Sequence, residues 1–242
     1  MSERVLIVNA DDFGMTEAGD EAILGLFQAG RITSSTILAP AKRAKSACQS
    51  AAVRDLAVGV HWTLHAEWAE ETWLPSAGAE CVPSLCENGA LIPGSARASK
   101  AAKSGDVTRE LEAQYRFMME HGVVPDHADS HGGTLYGING RLFFLNAFRL
   151  CKKYGLPFRF PRRSDFLRRQ FGHEPGGALK AAHRIIVASA DAHGVELIDD
   201  FITNPYPVSR IEGYAQLAAY YEREIASAKE GIAEVFLQPS LP

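Results

Sequence analysis

Gln28-Ala29-Gly30-Arg31-Ile32-Thr33-Ser34-Ser35-Thr36-Ile37-Leu38 is the stretch whose reading decides the fold. An apolar stripe at helical spacing, Ala22, Ile23, Leu26 and Phe27, runs up to Gly30, and a β-branched run follows at once. Glycine just past a helix takes the left-handed conformation that other residues resist. The same punctuation recurs at Gly122 before Val123-Val124, Gly155 before Leu156–Phe160, Gly194 before Val195–Ile198 and Gly231 before Ile232–Leu237. Helix, glycine, strand, repeated along a chain, specifies an α/β fold with parallel strands.

Two further strands complete the set, Arg4–Asn9 and Leu56–His61. Seven parallel strands are expected, near 4–9, 32–38, 56–61, 123–129, 156–160, 195–201 and 232–237. Helical stripes between them include Leu111, Tyr115 and Met118, then Leu217, Tyr221 and Ile225. Strand and helix alternate without a linker, so residues 1–242 read as a single domain. About seven parallel strands suit a distorted (β/α) TIM-like barrel; a doubly wound sheet is the alternative, since a sequence does not show closure. The exception is an inserted loop at about 63–106, rich in Ala, Ser, Gly and Pro. Insertions of that length form lids or substrate loops, or else disordered surface.

Composition narrows the class. The chain of 242 residues is 46% hydrophobic and 22% charged, enough for a packed core and too apolar for disorder. Its formal charge of -4, without a basic stripe, argues against a nucleic-acid partner. No apolar run approaches the roughly 20 residues that span a bilayer, so no membrane partner is expected. The start of the chain does not read as a signal peptide. Cys48, Cys81, Cys86 and Cys151 form no CxxC pair and read as reduced thiols of a cytoplasmic protein.

Sites in parallel α/β folds form at the carboxyl ends of strands. Strand one ends in Asn9-Ala10-Asp11-Asp12-Phe13-Gly14, strand three in His61, and strand four runs into His127-Ala128-Asp129-Ser130-His131. Strand five carries Arg159 and then Arg162, and strand seven ends in Gln238-Pro239. Two adjacent aspartates at a buried strand end repel each other unless a cation sits there. One aspartate and two histidines, with an open position for water, form a catalytic site for a divalent metal. The second aspartate then serves as base. A turn followed by a helix N-cap is the competing account of the Asp pair. His127 and Asp129 share the facing of His131 if alternation holds, and read as hydrogen-bonding partners of the ligand. His65 lies on the loop past His61. His121, His173, His183 and His193 read as surface. All three tryptophans, Trp62, Trp68 and Trp73, follow His61 closely, either as a sugar-stacking surface or as a small satellite core.

The opening Val8–Gly14 (VNADDFG), Gln28–Pro40 (QAGRITSSTILAP), Gly59–His65 (GVHWTLH) and Pro125–His131 (PDHADSH) together resemble the YdjC-like carbohydrate deacetylase family, over nearly the whole chain and in the right order. The resemblance implies a distorted (β/α) barrel and metal-dependent removal of an N-acetyl group from a small amino sugar or chitooligosaccharide. It places the catalytic base at Asp11 and the ligands of one divalent metal ion, zinc or magnesium, at Asp12, His61 and His131. Trp62, Arg159, Arg162 and Gln238 are the candidate substrate contacts. Two departures stand out. His131 is followed by Gly132-Gly133 where many members have a His-rich run, and Gln238-Pro239 stands where many end a strand in His-Pro. A Gln amide cannot donate a proton as a general acid, which leaves His65 or His127 as candidates. The chain also stops at Pro242, where relatives continue, as a shortened chain would. Two alternatives stay open: a metal-dependent phosphoesterase gripping a sugar phosphate through Arg159 and Arg162, and a sugar-binding homologue with weak catalysis. A homodimer is the default assembly.

Overall fold

The computed structural model describes residues 3–241. Its strands are β1 (Arg4–Phe13), β2 (Ser34–Ile37), β3 (Val58–Trp62), β4 (Cys86–Glu87), β5 (Ala90–Leu91), β6 (Ala128–Ser130), β7 (Asp200–Ile202) and β8 (Gly231–Leu237). The helices are α1 (Glu17–Gln28), α2 (Ala44–Arg54), α3 (Ser95–Ala101), α4 (Ser104–Glu120), α5 (Phe144–Tyr154), α6 (Asp165–Phe171), α7 (Gly177–His193) and α8 (Tyr214–Ala226). Six strands form one parallel sheet in the order β6-β3-β2-β1-β8-β7. Single parallel bridges, Ala128 to Phe158 and Phe158 to Leu197, join its two edges. The sheet therefore curls into a distorted barrel whose fifth staves are reduced to one rung.

Three expected strands are cut back most sharply from what the pattern suggested. Val123–His127 lies outside β6, because Pro125 has no N–H for a ladder and Val124 stays exposed. Leu156–Phe160 contributes only the Phe158 bridge, since Pro157 removes the neighbouring donor. At 195–201 regular pairing begins only at Asp200. The five punctuating glycines all have positive φ.

The apolar core lies outside the sheet, under the helices. Val58, Val60 and Trp62 of β3 pack there with Cys48 and Ala51 of α2, Leu111 and Met118 of α4, and Phe148 of α5. Alternation along the strands sends the other set inward: Asn9 and Asp11, Ser34 and Thr36, Gly59 and His61, Asp129 and His131. All of these inward positions are buried, and all but Gly59 are polar. Gly59 is required, because a Cβ there would stand 2.6 Å from the His127 ring.

The 63–106 insertion is ordered rather than loose. Asn88 and Gly89, both at positive φ, turn the β4–β5 hairpin. Trp73, Leu85 and Leu91 bury themselves in the main core. Glu110 of α4 accepts the Ser76 and Ala77 N–H groups at 2.9 and 3.0 Å, which ties the insertion to the barrel. No helix among the described residues is long and apolar enough to cross a membrane.

Candidate metal centre

Neighbouring residues of a regular strand point to opposite faces, so Asp11 and Asp12 could not share a site without a break in β1. The break exists. Pairing with β2 slips between Ala10 and Phe13, and Asp12 sits at φ 67. Aspartate is among the few side chains that tolerate this conformation, and bulges re-aim side chains beside active sites. The turn that follows is braced. Gly14 N–H donates to Asp20 Oδ1 at 2.7 Å, and Arg43 Nε holds Asp20 Oδ2 at 2.7 Å. Gly14, at φ 96, passes so close to α2 that a Cβ would lie 3.0 Å from the Ala44 Cα.

The bulge turns both carboxylates into the barrel, towards different partners. Asp12 Oδ1 lies 3.2 Å from His61 Nε2 and 3.3 Å from His131 Nδ1. The three ligand atoms all fall within 4.8 Å of one another. Asp12 Oδ1 and His131 Nδ1 are buried, yet neither forms a hydrogen bond. Donor atoms that crowd together without bonding one another are costly unless a cation holds them, so the set fits a divalent metal. Burial alone would raise the Asp12 carboxyl; polar contact with His131 and His61 outweighs it and holds the group well below the usual range. Burial disfavours charge on His61, but Asp129 and Asp12 push it well above an ordinary imidazole. His131 rises against burial for the same kind of reason, through Asp12 and Glu67.

Behind these atoms stands a closed polar network. Asp129 Oδ1 lies 2.5 Å from His61 Nδ1, and Thr36 Oγ1 donates to Asp129 Oδ2 at 3.1 Å. Arg159 lies at the centre. Its Nη1 and Nη2 grip Asp11 at 2.9 and 2.8 Å, Nη1 reaches Asp129 at 2.8 Å, and Nε holds Glu234 at 2.6 Å. Phe201 and Phe236, stacked 5.3 Å apart, flank the guanidinium at 5.7 and 5.6 Å. Asn9 adds a bond to Asp11 Oδ1 at 2.7 Å. Burial works against the Asp129 charge, but Arg159 and His61 overcome it and lower its pKa. Burial raises the Glu234 carboxyl despite Arg159.

A family profile described as YdjC-like protein matches residues 5–242. The chain belongs to the YdjC-like family. Among curated members, the carbohydrate deacetylase of Enterococcus faecalis (strain ATCC 700802 / V583) is 36% identical over 166 residues, 68% of this chain and 61% of that protein. The chitooligosaccharide deacetylase of Proteus mirabilis (strain HI4320) is 34% identical over 131 residues, 52% of this chain and 48% of that protein. The match thus spans about half to three fifths of these relatives' lengths. The crystal structure of an Enterococcus faecalis V583 protein named for cellobiose-phosphate cleavage superposes with a TM-score of 0.75 at 26% identity, over 100% of this chain and 83% of that one.

For this YdjC-like chain, the structure gathers Asp11, Asp12, His61 and His131 at one end of the barrel. Gln238 joins them, donating to Asp12 Oδ2 at 2.5 Å. Three expected substrate contacts have other partners. Trp62 faces the helices, fully buried, its indole N–H on the Leu111 carbonyl at 2.9 Å. Arg159 is spent on three internal carboxylates. Arg162 turns outward to Asp191 of α7 at 2.8 Å. Of the tryptophans, Trp73 is also core, and only Trp68 is exposed, at 44%. His183, read as surface, is buried and bonds the Pro161 carbonyl at 2.8 Å. His127 pairs with Asp126 at 2.5 Å and is not among the groups round Asp12. His65 stacks on His131 at 5.0 Å. Burial lowers its pKa to about 4.

Thr36, Glu67, Asn9 and Glu234 were not singled out from sequence. Signals existed for two of them. Glu234 is a charge inside the apolar strand Gly231–Leu237, and Thr36 belongs to the hydroxyl-rich run Ser34-Ser35-Thr36, which an apolar barrel interior would not contain.

Proposed function

We infer that this chain is a metal-dependent hydrolase that removes an N-acetyl group from a small amino sugar or chitooligosaccharide. The convergence of Asp12 Oδ1, His61 Nε2 and His131 Nδ1 beside the second carboxylate, Asp11, carries the reading. The names of the matched relatives support the substrate class. Asp12, His61 and His131 would hold the ion. One carboxylate and two imidazoles favour zinc, with magnesium as the alternative. When bound there, such an ion polarises the amide carbonyl and acidifies a water.

The chain's own residues do the rest. Asp11 accepts three hydrogen bonds, two from Arg159 and one from Asn9. A carboxylate has about four acceptor sites, so one remains, on the oxygen facing away from Asn9, to take a proton from the attacking water. Arg159 fixes the plane of that carboxylate. Gln238, held on Asp12, is a neutral donor beside the centre and would bind the acetyl oxygen. Trp68 is the one exposed indole to stack on a sugar ring. The phosphoesterase alternative is the weaker one, because Arg159 is buried among three carboxylates and Arg162 turns outward to Asp191.

The test is acetate release from N-acetylglucosamine oligomers by purified protein, before chelation, after it, and after repletion with zinc or magnesium. Chelator-sensitive, metal-restored acetate release is expected. Binding of these sugars without any acetate release would replace the enzyme with a sugar-binding homologue.

A further inference from the structure

The two histidines approach Asp12 through different ring atoms, His61 through Nε2 and His131 through Nδ1. An imidazole ligates through a lone pair, so its other nitrogen must carry a proton, and what accepts that proton decides which tautomer prevails. For His61 the acceptor is Asp129, a buried strand residue fixed in turn by Arg159 and Thr36. For His131 it is Glu67, whose Oε2 lies 2.9 Å from Nε2.

Glu67 is a different kind of partner. It stands in the connection that follows β3, its side chain is 39% exposed, and among the described residues it makes no other ion pair. The plane of the His131 ring does not depend on it. His65 stacks on one side, Trp73 approaches at 5.9 Å, and the ring is buried. Packing thus fixes where the ring lies, and among the described residues Glu67 is the group that bonds Nε2, opposite Asp12 at Nδ1. With no acceptor at Nε2, the proton could sit on Nδ1 and bond Asp12 Oδ1. That would consume two of the three atoms that converge at the centre.

The geometry points to Glu67 as a positioning residue that keeps the proton of His131 on Nε2 and so presents Nδ1 to the metal. This rests on the metal reading above. The carboxylate is placed to orient a ligand, not to touch substrate, and it comes from the connection that also carries Trp68.

Zinc affinity is measured by competition with a chelating dye for the wild type, Glu67→Ala and Glu67→Gln, with thermal melts to confirm folding. The wild type should bind one zinc per chain, and Glu67→Ala should bind it roughly 10- to 100-fold more weakly, the usual effect of losing such a partner. Glu67→Gln keeps an oxygen acceptor and should stay within a few fold of wild type. It also preserves the comparison if the alanine variant unfolds. In zinc-loaded protein with ¹⁵N-labelled histidine, the His131 Nε2 proton should appear far downfield in the wild type, move upfield in Glu67→Gln and be lost to exchange in Glu67→Ala. Equal affinity and an unchanged resonance in Glu67→Ala would overturn the role of Glu67 alone. So would a glutamine variant as weak as the alanine one. A second zinc in the wild type that the alanine variant loses would make Glu67 a ligand and overturn it likewise. A wild type that binds neither zinc nor, in a parallel titration, magnesium overturns the metal reading, and this inference with it.

Discussion

Asp12 combines a backbone task and an electrostatic one, and one substitution separates them. At φ 67 the position accepts asparagine almost as well as aspartate. Asp12→Asn should therefore keep the bulge and the fold but lose the charge that holds a cation. The expected outcome is a metal-free protein that still melts cooperatively and a much weaker zinc isotherm. Asp11→Asn should do the reverse: it should keep metal and lose roughly 10²–10⁴-fold in acetate release, the usual worth of a positioned base. The four thiols make a separate residue-scale test. Burial pushes Cys48 up to about 12 and Cys86 up to about 11, and raises Cys151 as well. Exposed Cys81 should thus be the first to react with a thiol reagent in native protein, read by mass spectrometry of the labelled peptides. The Asp pair and the two histidines were legible because each stands at the end of a strand that the glycine punctuation announces. Arg159 was legible only as a rim cation. Its partner Asp11 lies 148 positions away, and no local pattern encodes that pairing.

At the scale of elements, α4 matters most to the centre. Gln114 clamps the residue that follows β3, accepting from Thr63 N–H at 2.9 Å and donating to its carbonyl at 2.6 Å. Gln114→Leu would strand two buried backbone groups, at about 1–3 kcal/mol each, and loosen His61 two residues upstream. Denaturant melts and the zinc isotherm should both worsen. Glu112, on the same helix, ties α4 to α5. Its hydrogen bond to Lys153, with further help from Tyr154 and Arg116, lowers its carboxyl to about 2. A depressed carboxylate stabilises the fold above its unfolded value, and the contribution is lost as pH falls towards 2. The cations are mostly exposed, which discounts the gain to roughly 1 kcal/mol or less. Glu112→Gln should cost that much at pH 7 and only a small fraction of it at pH 2. Helices were the more legible elements: the stripe Leu111, Tyr115 and Met118 is buried as its spacing demanded. The strands near 123–129 and 156–160 were overread. Val-Val and Leu-Pro-Phe carry strand propensity, and the prolines beside them deny the ladder its donors.

Across the whole molecule, the barrel is inside out relative to an apolar-cored one: hydrophobic contacts glue helices to the sheet's outer face, and polar and charged side chains fill the lumen. Alternation predicts that one face of each strand points inward. It does not say that the inward face is held by a single guanidinium. Removing that group should therefore be severe. Arg159→Met leaves Asp11, Asp129 and Glu234 buried without their cation, and a loss of at least about 3–5 kcal/mol is expected from urea melts. Arg159→Lys should fall between, since an ammonium keeps the charge but not the fork.

The pairing of β1 with β8 has a consequence for how the protein is made. Arg4 to Ala10 on one strand matches Gly231 to Leu237 on the other, rung for rung. A ribosome releases the first of these long before the second. While the middle of the chain emerges, β1 can pair with β2 on one side only, and its other edge, next to Asp11 and Asp12, stays open to any strand that drifts by. The barrel is thus a lock whose bolt is synthesised after every other strand. A nascent chain stalled short of residue 231 should remain protease-sensitive throughout β1, and release of β8 should protect both strands together.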